Sequence, residues 1–308
     1  MNNDDIFSRI ISCCVSKGFQ VKIISSSCLE ILRDRIYSIE YELSKIFFNE
    51  RLTFFHFDIP ADFPSAKSII LVASPQFPVK VHFYYNGKLI SSLVPPTYSY
   101  HTDIIAKDII ENLISPYNYS LSDIQLPVKI LAVLSGMAQY GKNNITYISG
   151  MGSFFRLKGF YTNIESSTHL ENQLLMMEEC KICNACRLNC PSGAILENRF
   201  LISAERCLTF LNERPEAFPD WVNPLWHNCL IGCMKCQYSC PVNKKFKNRF
   251  EGEIYFTEDE TQQIINETPF DELNALTMGK LTCLNLQNDH KLLPRNLRAL
   301  ILKEENND

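Results

Sequence analysis

No stretch of this 308-residue chain approaches the roughly 18 consecutive apolar residues of a membrane span, and runs such as Ile69 to Ala73 stop far short of it. No basic segment precedes a long apolar one at the Met1-Asn2-Asn3-Asp4-Asp5 start, so nothing resembles a secretory signal and no membrane partner is expected. Low-complexity runs are also missing, and 46% apolar with 21% charged residues excludes a disordered chain. The net charge of -4 excludes a global field that would gather nucleic acid. Local basic stretches such as Lys244-Lys245-Phe246-Lys247 remain, and read first as a solvated face. These absences leave an ordinary folded, cytoplasmic protein, long enough for two domains and a core that needs no staples.

The residues to about 165 mix helix and strand signals. Residues 4 to 18 and 28 to 49 carry apolar positions at helical spacing, the second including Ile31, Leu32, Ile36, Ile39, Leu43 and Phe47. Ser68 to Ala73 is an apolar, strand-like run. Val79 to Tyr85 and Lys88 to Val94 flank Asn86-Gly87, a pair suited to left-handed turn conformations, and so form a hairpin. Helices are expected near 101 to 114 and 127 to 138, with a strand at Ile145 to Ser149. Short helices follow at 258 to 267, 270 to 277 and 293 to 303, before a polar tail. The expected fold class is α+β: a mixed-sheet N-terminal domain over 1–165, a ferredoxin-like double 4Fe-4S module over 166–247 and a short helical C-terminal region over 248–308.

Thirteen cysteines would read as disulfides in a small secreted protein, but nine of them crowd between Cys180 and Cys240 of a chain with no export signal. Cys13, Cys14, Cys28 and Cys283 stand apart as core or surface thiols. Cys180, Cys183, Cys186 and Cys190, followed by Pro191, have the spacing CxxCxxCxxxCP, which lets three thiolates wrap one cubane while the fourth points to another. Cys233, Cys236 and Cys240, followed by Pro241, repeat the last three, with Leu230 where the first would stand, so Cys207 or Cys229 must supply a ligand. Paired cysteines also make tetrahedral zinc sites, but zinc leaves the third cysteine, the three-residue gap and the proline unexplained.

This segment, with Pro191-Ser192-Gly193-Ala194-Ile195 and the stretch from Ile202 to Leu208, resembles epoxyqueuosine reductase, an iron-sulfur and cobalamin family of tRNA modification. Upstream, Gly136-Met137-Ala138-Gln139-Tyr140-Gly141-Lys142-Asn143 is similar to that family's glycine-rich stretch, with Ala138 at its middle glycine, and Gly152-Ser153-Phe154-Phe155 also fits. The resemblance implies one cluster on Cys180, Cys183, Cys186 and Cys240 and a second on Cys190, Cys207, Cys233 and Cys236, leaving Cys229 spare. It further implies electrons passing from a donor such as ferredoxin or flavodoxin, through both clusters, to cobalamin or a substrate (tRNA or a small molecule) in the N-terminal domain, with an aspartate ahead of the glycine stretch as proton donor. Asp123 is the nearby acid, and an aspartate beside a helix start also reads as an N-cap. Gly141, Lys142 and Asn143 could offer amides and an ammonium to a corrin side chain, or form a plain turn. Tyr98 and Tyr100 read as packing residues and His101 as a helix start. The rival reading is a non-catalytic, ferredoxin-like electron-transfer or corrinoid-reactivation partner.

Overall fold

The computed structural model describes residues 2–39, 45–170, 173–197 and 200–306. Its strands are β1 (Gln20–Ser25), β2 (Ser68–Pro75), β3 (Val79–Tyr85), β4 (Lys88–Val94), β5 (Leu121–Asp123), β6 (Gln139–Tyr140), β7 (Thr146–Tyr147), β8 (Phe155–Thr162) and β9 (Gly252–Phe256). The helices are α1 (Asn3–Ser16), α2 (Cys28–Tyr37), α3 (Lys45–Leu52), α4 (His101–Ile114), α5 (Val128–Leu134), α6 (Ala185–Leu188), α7 (Leu208–Asn212), α8 (Lys235–Ser239), α9 (Glu258–Ile265), α10 (Ala275–Cys283) and α11 (Leu293–Glu305). The fold is α+β, and among the described residues no helix is long and apolar enough to cross a membrane.

Two compact units emerge, and they do not follow the three sequential segments 1–165, 166–247 and 248–308. The first takes Met1–Pro75, His101–Cys183 and Arg199–Leu201; the second takes Gln76–Tyr100, Asn184–Asn198 and Ile202–Asp308. The reason lies in one strand pair. β3 pairs in parallel with β9, so the hairpin belongs with chain some 170 residues later, and the division runs between Cys183 and Asn184 within the first cysteine run.

In the first unit, β1-β2-β8-β5 form a sheet in which every pairing is antiparallel. The uninterrupted apolar run of β2 is explained by burial on both faces. Ile69, Leu71 and Ala73 join a core with Leu32 and Ile36 of α2 and with Ile130 to Leu134. Ile70 and Val72 face Ile6 and Ile10 of α1 and Ala106 and Ile110 of α4. At β8, a Cβ on Gly159 would stand 2.1 Å from Ile124 Cδ1, so a larger residue would force Ile124 to shift. Helix 28–49 proves shorter than its periodicity suggested: α2 ends at Tyr37 and α3 begins at Lys45, while Leu43 lies outside the described residues.

The second unit carries the sheet β4-β3-β9. Asn86 and Gly87 both take positive φ, 49° and 72°, the left-handed pair that the Asn-Gly turn requires. Val81, Phe83, Ile90 and Phe256 point into a core with Ile264, Leu281, Leu297 and Leu300 of the C-terminal helices, and the Phe83 and Phe256 rings stack at 4.7 Å. α9 starts with a capping box: the Thr257 hydroxyl accepts from the Glu260 amide, and the Glu260 carboxylate accepts from Thr257 N–H. The helix expected at 270 to 277 is instead a 3₁₀ turn at Phe270–Glu272 followed by α10, because Asn274 caps a new start by accepting from the Thr277 amide at 2.8 Å. The final helix runs to Glu305, two residues into the expected polar tail.

Candidate metal centre

All the cysteines between Cys180 and Cys240 are free thiols, so no disulfide competes for the sulfurs. Within the second unit, the later part of the first run and the second run adopt the same local fold. α6 and α8 are one-turn helices entered from Asn184 (φ -123°, ψ 11°) and Met234 (φ -121°, ψ 5°). Each ends in a cysteine whose amide returns to the residue three before it: Cys190 N–H to Arg187 C=O and Cys240 N–H to Gln237 C=O, both at 3.3 Å. Each cysteine carbonyl then accepts from the residue three ahead, Gly193 at 3.2 Å and Asn243 at 3.1 Å. The Cys-Pro pair therefore closes a tight turn twice, and α6 packs against α8.

Cys207 is the N-cap residue of α7. Burial pushes its thiol up, the amides of Thr209 and Phe210 and the Thr209 hydroxyl oppose this by donating to sulfur, and the neighbouring Cys190 thiol adds to the rise. Cys233 behaves alike. Burial raises it, the Asn228 side-chain amide and the Lys235 amide donate to its sulfur, and Cys207 and Cys190 lie close enough to reinforce the rise. Cys207 and Cys233 thus lie near each other and near Cys190, and each of the first two has amides aimed at its sulfur. Soft thiols with such donors form the ligand set that a 4Fe-4S cluster takes, since binding deprotonates the thiols and N–H···S bonds stabilise the charge.

Cys229 has a different setting. It is fully buried, its amide neighbour Leu230 N–H is bonded to Leu93 C=O at the end of β4 (2.8 Å), and its thiol donates to Asn228 Oδ1 at 3.1 Å. Burial drives this thiol well above its ordinary value, with Cys233 adding to it. Asn228 was not singled out by sequence, although it organises the run. Its Nδ2 donates to Cys233 Sγ at 3.2 Å and its Oδ1 accepts from Met234 N–H at 2.9 Å. Gly232, at φ 70°, sits where a Cβ would stand 3.1 Å from Pro95 Cγ and 3.3 Å from Tyr98 Oη. Asn212 Nδ2 holds the Gly232 carbonyl at 2.7 Å and is itself held by Asn296, whose Nδ2 donates to Asn212 C=O at 3.0 Å. Tyr98 packs as expected and also donates to Glu213; burial and that carboxylate push its phenol far up.

In the first unit, Gly141, Lys142 and Asn143 form the turn between β6 and β7. Lys142 Nζ donates to Cys183 C=O at 2.9 Å, Asn143 Nδ2 donates to Tyr147 Oη at 3.0 Å, and a Cβ on Gly141 would meet Tyr147 at 2.6 Å. Tyr140 bonds the chain just ahead of Cys180, accepting from Met177 N–H at 2.9 Å and donating to Leu175 C=O at 2.8 Å. Gly141, Lys142 and Asn143, offered by sequence to a cofactor, brace the entry to the first cysteine run together with Tyr140. Asp123 ends β5 and is no N-cap, because Pro127 precedes α5. Its carboxylate pairs with Lys158 and, at 3.7 Å, with Lys107. It also lines a cavity of about 440 Å³ with His56, Asp58, Asp62 and Tyr161. Among the described residues the Tyr161 hydroxyl has no hydrogen-bond partner, and burial pushes it up to about 12.

Residues 179–243 match the family model of a 4Fe-4S double cluster binding domain. The chain is 35% identical over 115 residues to an epoxyqueuosine reductase of Shewanella oneidensis, covering 37% of this chain and 28% of that protein. It is 30% identical over 146 residues to that of Bacillus subtilis, covering 47% and 34%. The matched stretch thus spans about a third or less of these relatives. A crystal structure of selenomethionine-labelled epoxyqueuosine reductase superposes with a TM-score of 0.67 at 20% identity, over 98% of this chain and 82% of that one. A structure of epoxyqueuosine reductase with a tRNA-Tyr epoxyqueuosine-modified stem loop superposes with a TM-score of 0.57 at 22% identity, over 79% and 66%. The expected resemblance and fold class are borne out: cluster segment and fold are both epoxyqueuosine reductase-like.

Proposed function

We propose, from a double-cluster segment and a fold that are epoxyqueuosine reductase-like, that this chain is an iron-sulfur reductase that passes electrons through two 4Fe-4S clusters to reduce its substrate. The observation that carries the reading is the repeated one-turn helix and Cys-Pro turn at α6 and α8, within a segment matching a double-cluster domain. Cys180, Cys183, Cys186 and Cys240 would hold one cluster and Cys190, Cys207, Cys233 and Cys236 the other. When bound, the clusters supply one-electron transfer at low potential. The chain's own residues supply thiolates, the amides of Thr209, Phe210, Asn228 and Lys235 that tune them, and an apolar shell from Leu230 and Ile231 that limits water.

The substrate class in this reading is an epoxyqueuosine-bearing tRNA, after the names of the relatives, and the donor is a ferredoxin or flavodoxin. Reducing the epoxide to the alkene takes two electrons, which one-electron clusters deliver in succession, and two protons from an acid and solvent, with the oxygen leaving as water. Asp123 is the proposed proton donor, at the wall of the cavity shared with Tyr161. A corrinoid, implied by resemblance, does not fit the residues first offered to it, because Gly141, Lys142 and Asn143 are committed to the β6–β7 turn and to Cys183. That same commitment favours the second reading, a non-catalytic electron-transfer or corrinoid-reactivation partner.

The test incubates anaerobically reduced protein with an epoxyqueuosine-containing tRNA stem loop and follows the RNA by mass spectrometry. Loss of one oxygen, abolished in Asp123→Asn at unchanged iron content, supports the reductase. Intact RNA beside fully reduced clusters overturns it in favour of the partner reading.

A further inference from the structure

Between Lys235 and Phe250, a chain of net charge -4 carries five positive side chains and no acid. Four of them, Lys244, Lys245, Lys247 and Arg249, follow Cys240 directly, and among the described residues none of the four enters an ion pair. Lys244, Lys245 and Arg249 are exposed. The loop that bears them is a rigid continuation of the cysteine turn. Asn243 Nδ2 is bonded to Gln237 C=O of α8 at 2.9 Å, Lys244 N–H to Pro241 C=O at 3.1 Å and Phe246 N–H to Asn243 C=O at 2.9 Å. Phe246 is the anchor, 4% exposed, with Lys245 and Arg249 lying over its ring at 4.9 and 5.6 Å. The acids that follow the loop are engaged elsewhere, Glu251 by Phe77 N–H at 3.0 Å and Glu253 by Lys80 at 2.6 Å.

We infer that this basic loop is the docking surface for an acidic electron-carrier protein that reduces the clusters. The inference rests on the reading of Cys233, Cys236 and Cys240 as cluster ligands. An electron donor must approach a cluster closely, and this is the concentrated positive field on the turn that holds those cysteines. The chain's overall negative charge would otherwise repel an acidic carrier, so local charge steers and orients the encounter. RNA is the poorer fit. Single-stranded RNA is held by bases stacking on exposed aromatic rings, whereas Phe246 is buried and its face is covered by the chain's own cations. In the transfer, one electron leaves the reduced carrier and takes one 4Fe-4S cluster from the 2+ to the 1+ state, with no bond made or broken.

The probe is reduced flavodoxin mixed by stopped flow with anaerobically purified holo-protein, read by flavin absorbance across a salt series. Lys244→Glu with Lys245→Glu should slow cluster reduction roughly tenfold or more at low salt and flatten its salt dependence. The milder Lys244→Gln with Lys245→Gln pair should fall between, and light-driven reduction by deazaflavin should be equal in all three proteins. Unchanged flavodoxin rates in the charge-reversed protein would overturn the inference, as would lost binding of a tRNA stem loop at an unchanged flavodoxin rate. If light reduces no cluster even in the unmodified protein, the cluster reading itself fails and takes the docking site with it.

Discussion

Replacing Cys207 and Cys229 in turn by alanine separates a ligand from a packing thiol in two single variants. Cys207 receives the Thr209 and Phe210 amides at the start of α7 and lies near Cys190 and Cys233. Removing it takes one of four thiolates from one cluster. Iron in anaerobically purified protein should therefore fall from about eight atoms per chain to about four, with sulfide falling in step. Cys229→Ala removes a buried S–H donated to Asn228 Oδ1 and leaves a cavity the size of one sulfur. The lost hydrogen bond costs about 1 kcal/mol and the cavity about as much again. Melting should come a few degrees lower while iron stays near eight. Chemical iron and sulfide analysis, with the spin signal of the reduced clusters, measures both. Equal iron loss in the two variants, or loss in Cys229→Ala alone, refutes the assignment.

Three other perturbations test the supporting structure. Gly232→Ala forces a Cβ into the left-handed region, against Pro95 and Tyr98, and should destabilise by about 2 kcal/mol in a denaturant melt. Asn228→Ala removes a donor to Cys233 Sγ; since N–H···S bonds favour the more negative reduced cluster, one potential should drop by about 40 mV in a spectroscopic redox titration. Glu260 is buried, which alone would raise its carboxyl, but Lys280 at 2.6 Å and the Thr257 amide outweigh burial and hold it below the usual carboxylate range. Its stabilisation is thus present above the unfolded value of about 4.3 and lost as pH falls through the lower folded value, so Glu260→Gln should flatten the acid limb of stability against pH.

What sequence revealed was whatever is encoded locally. Asn86-Gly87 dictates its own turn, α4 appears at His101–Ile114 as its apolar spacing required, and the cysteine intervals describe a ligand pattern irrespective of the fold around them. What it concealed was encoded at a distance. β8, with Arg156, Lys158 and a mid-strand glycine, reads as no strand, yet it lies between β2 and β5, and its glycine leaves room for the Ile124 side chain. β9 is defined by a parallel partner far upstream, which also explains why the units cut across sequential segments. Within the site, Asn228, Asn212 and Gly232 act through single contacts that no spacing announces. Lys142 carried a charge that suggested a ligand, and only the fold shows that charge directed at the Cys183 carbonyl.

The metal content of the anaerobically purified chain is the most direct measurement of the two-cluster reading: about eight iron and eight acid-labile sulfide per chain are expected, with broad visible absorption that bleaches on reduction. Colourless protein holding zinc and no sulfide would contradict it.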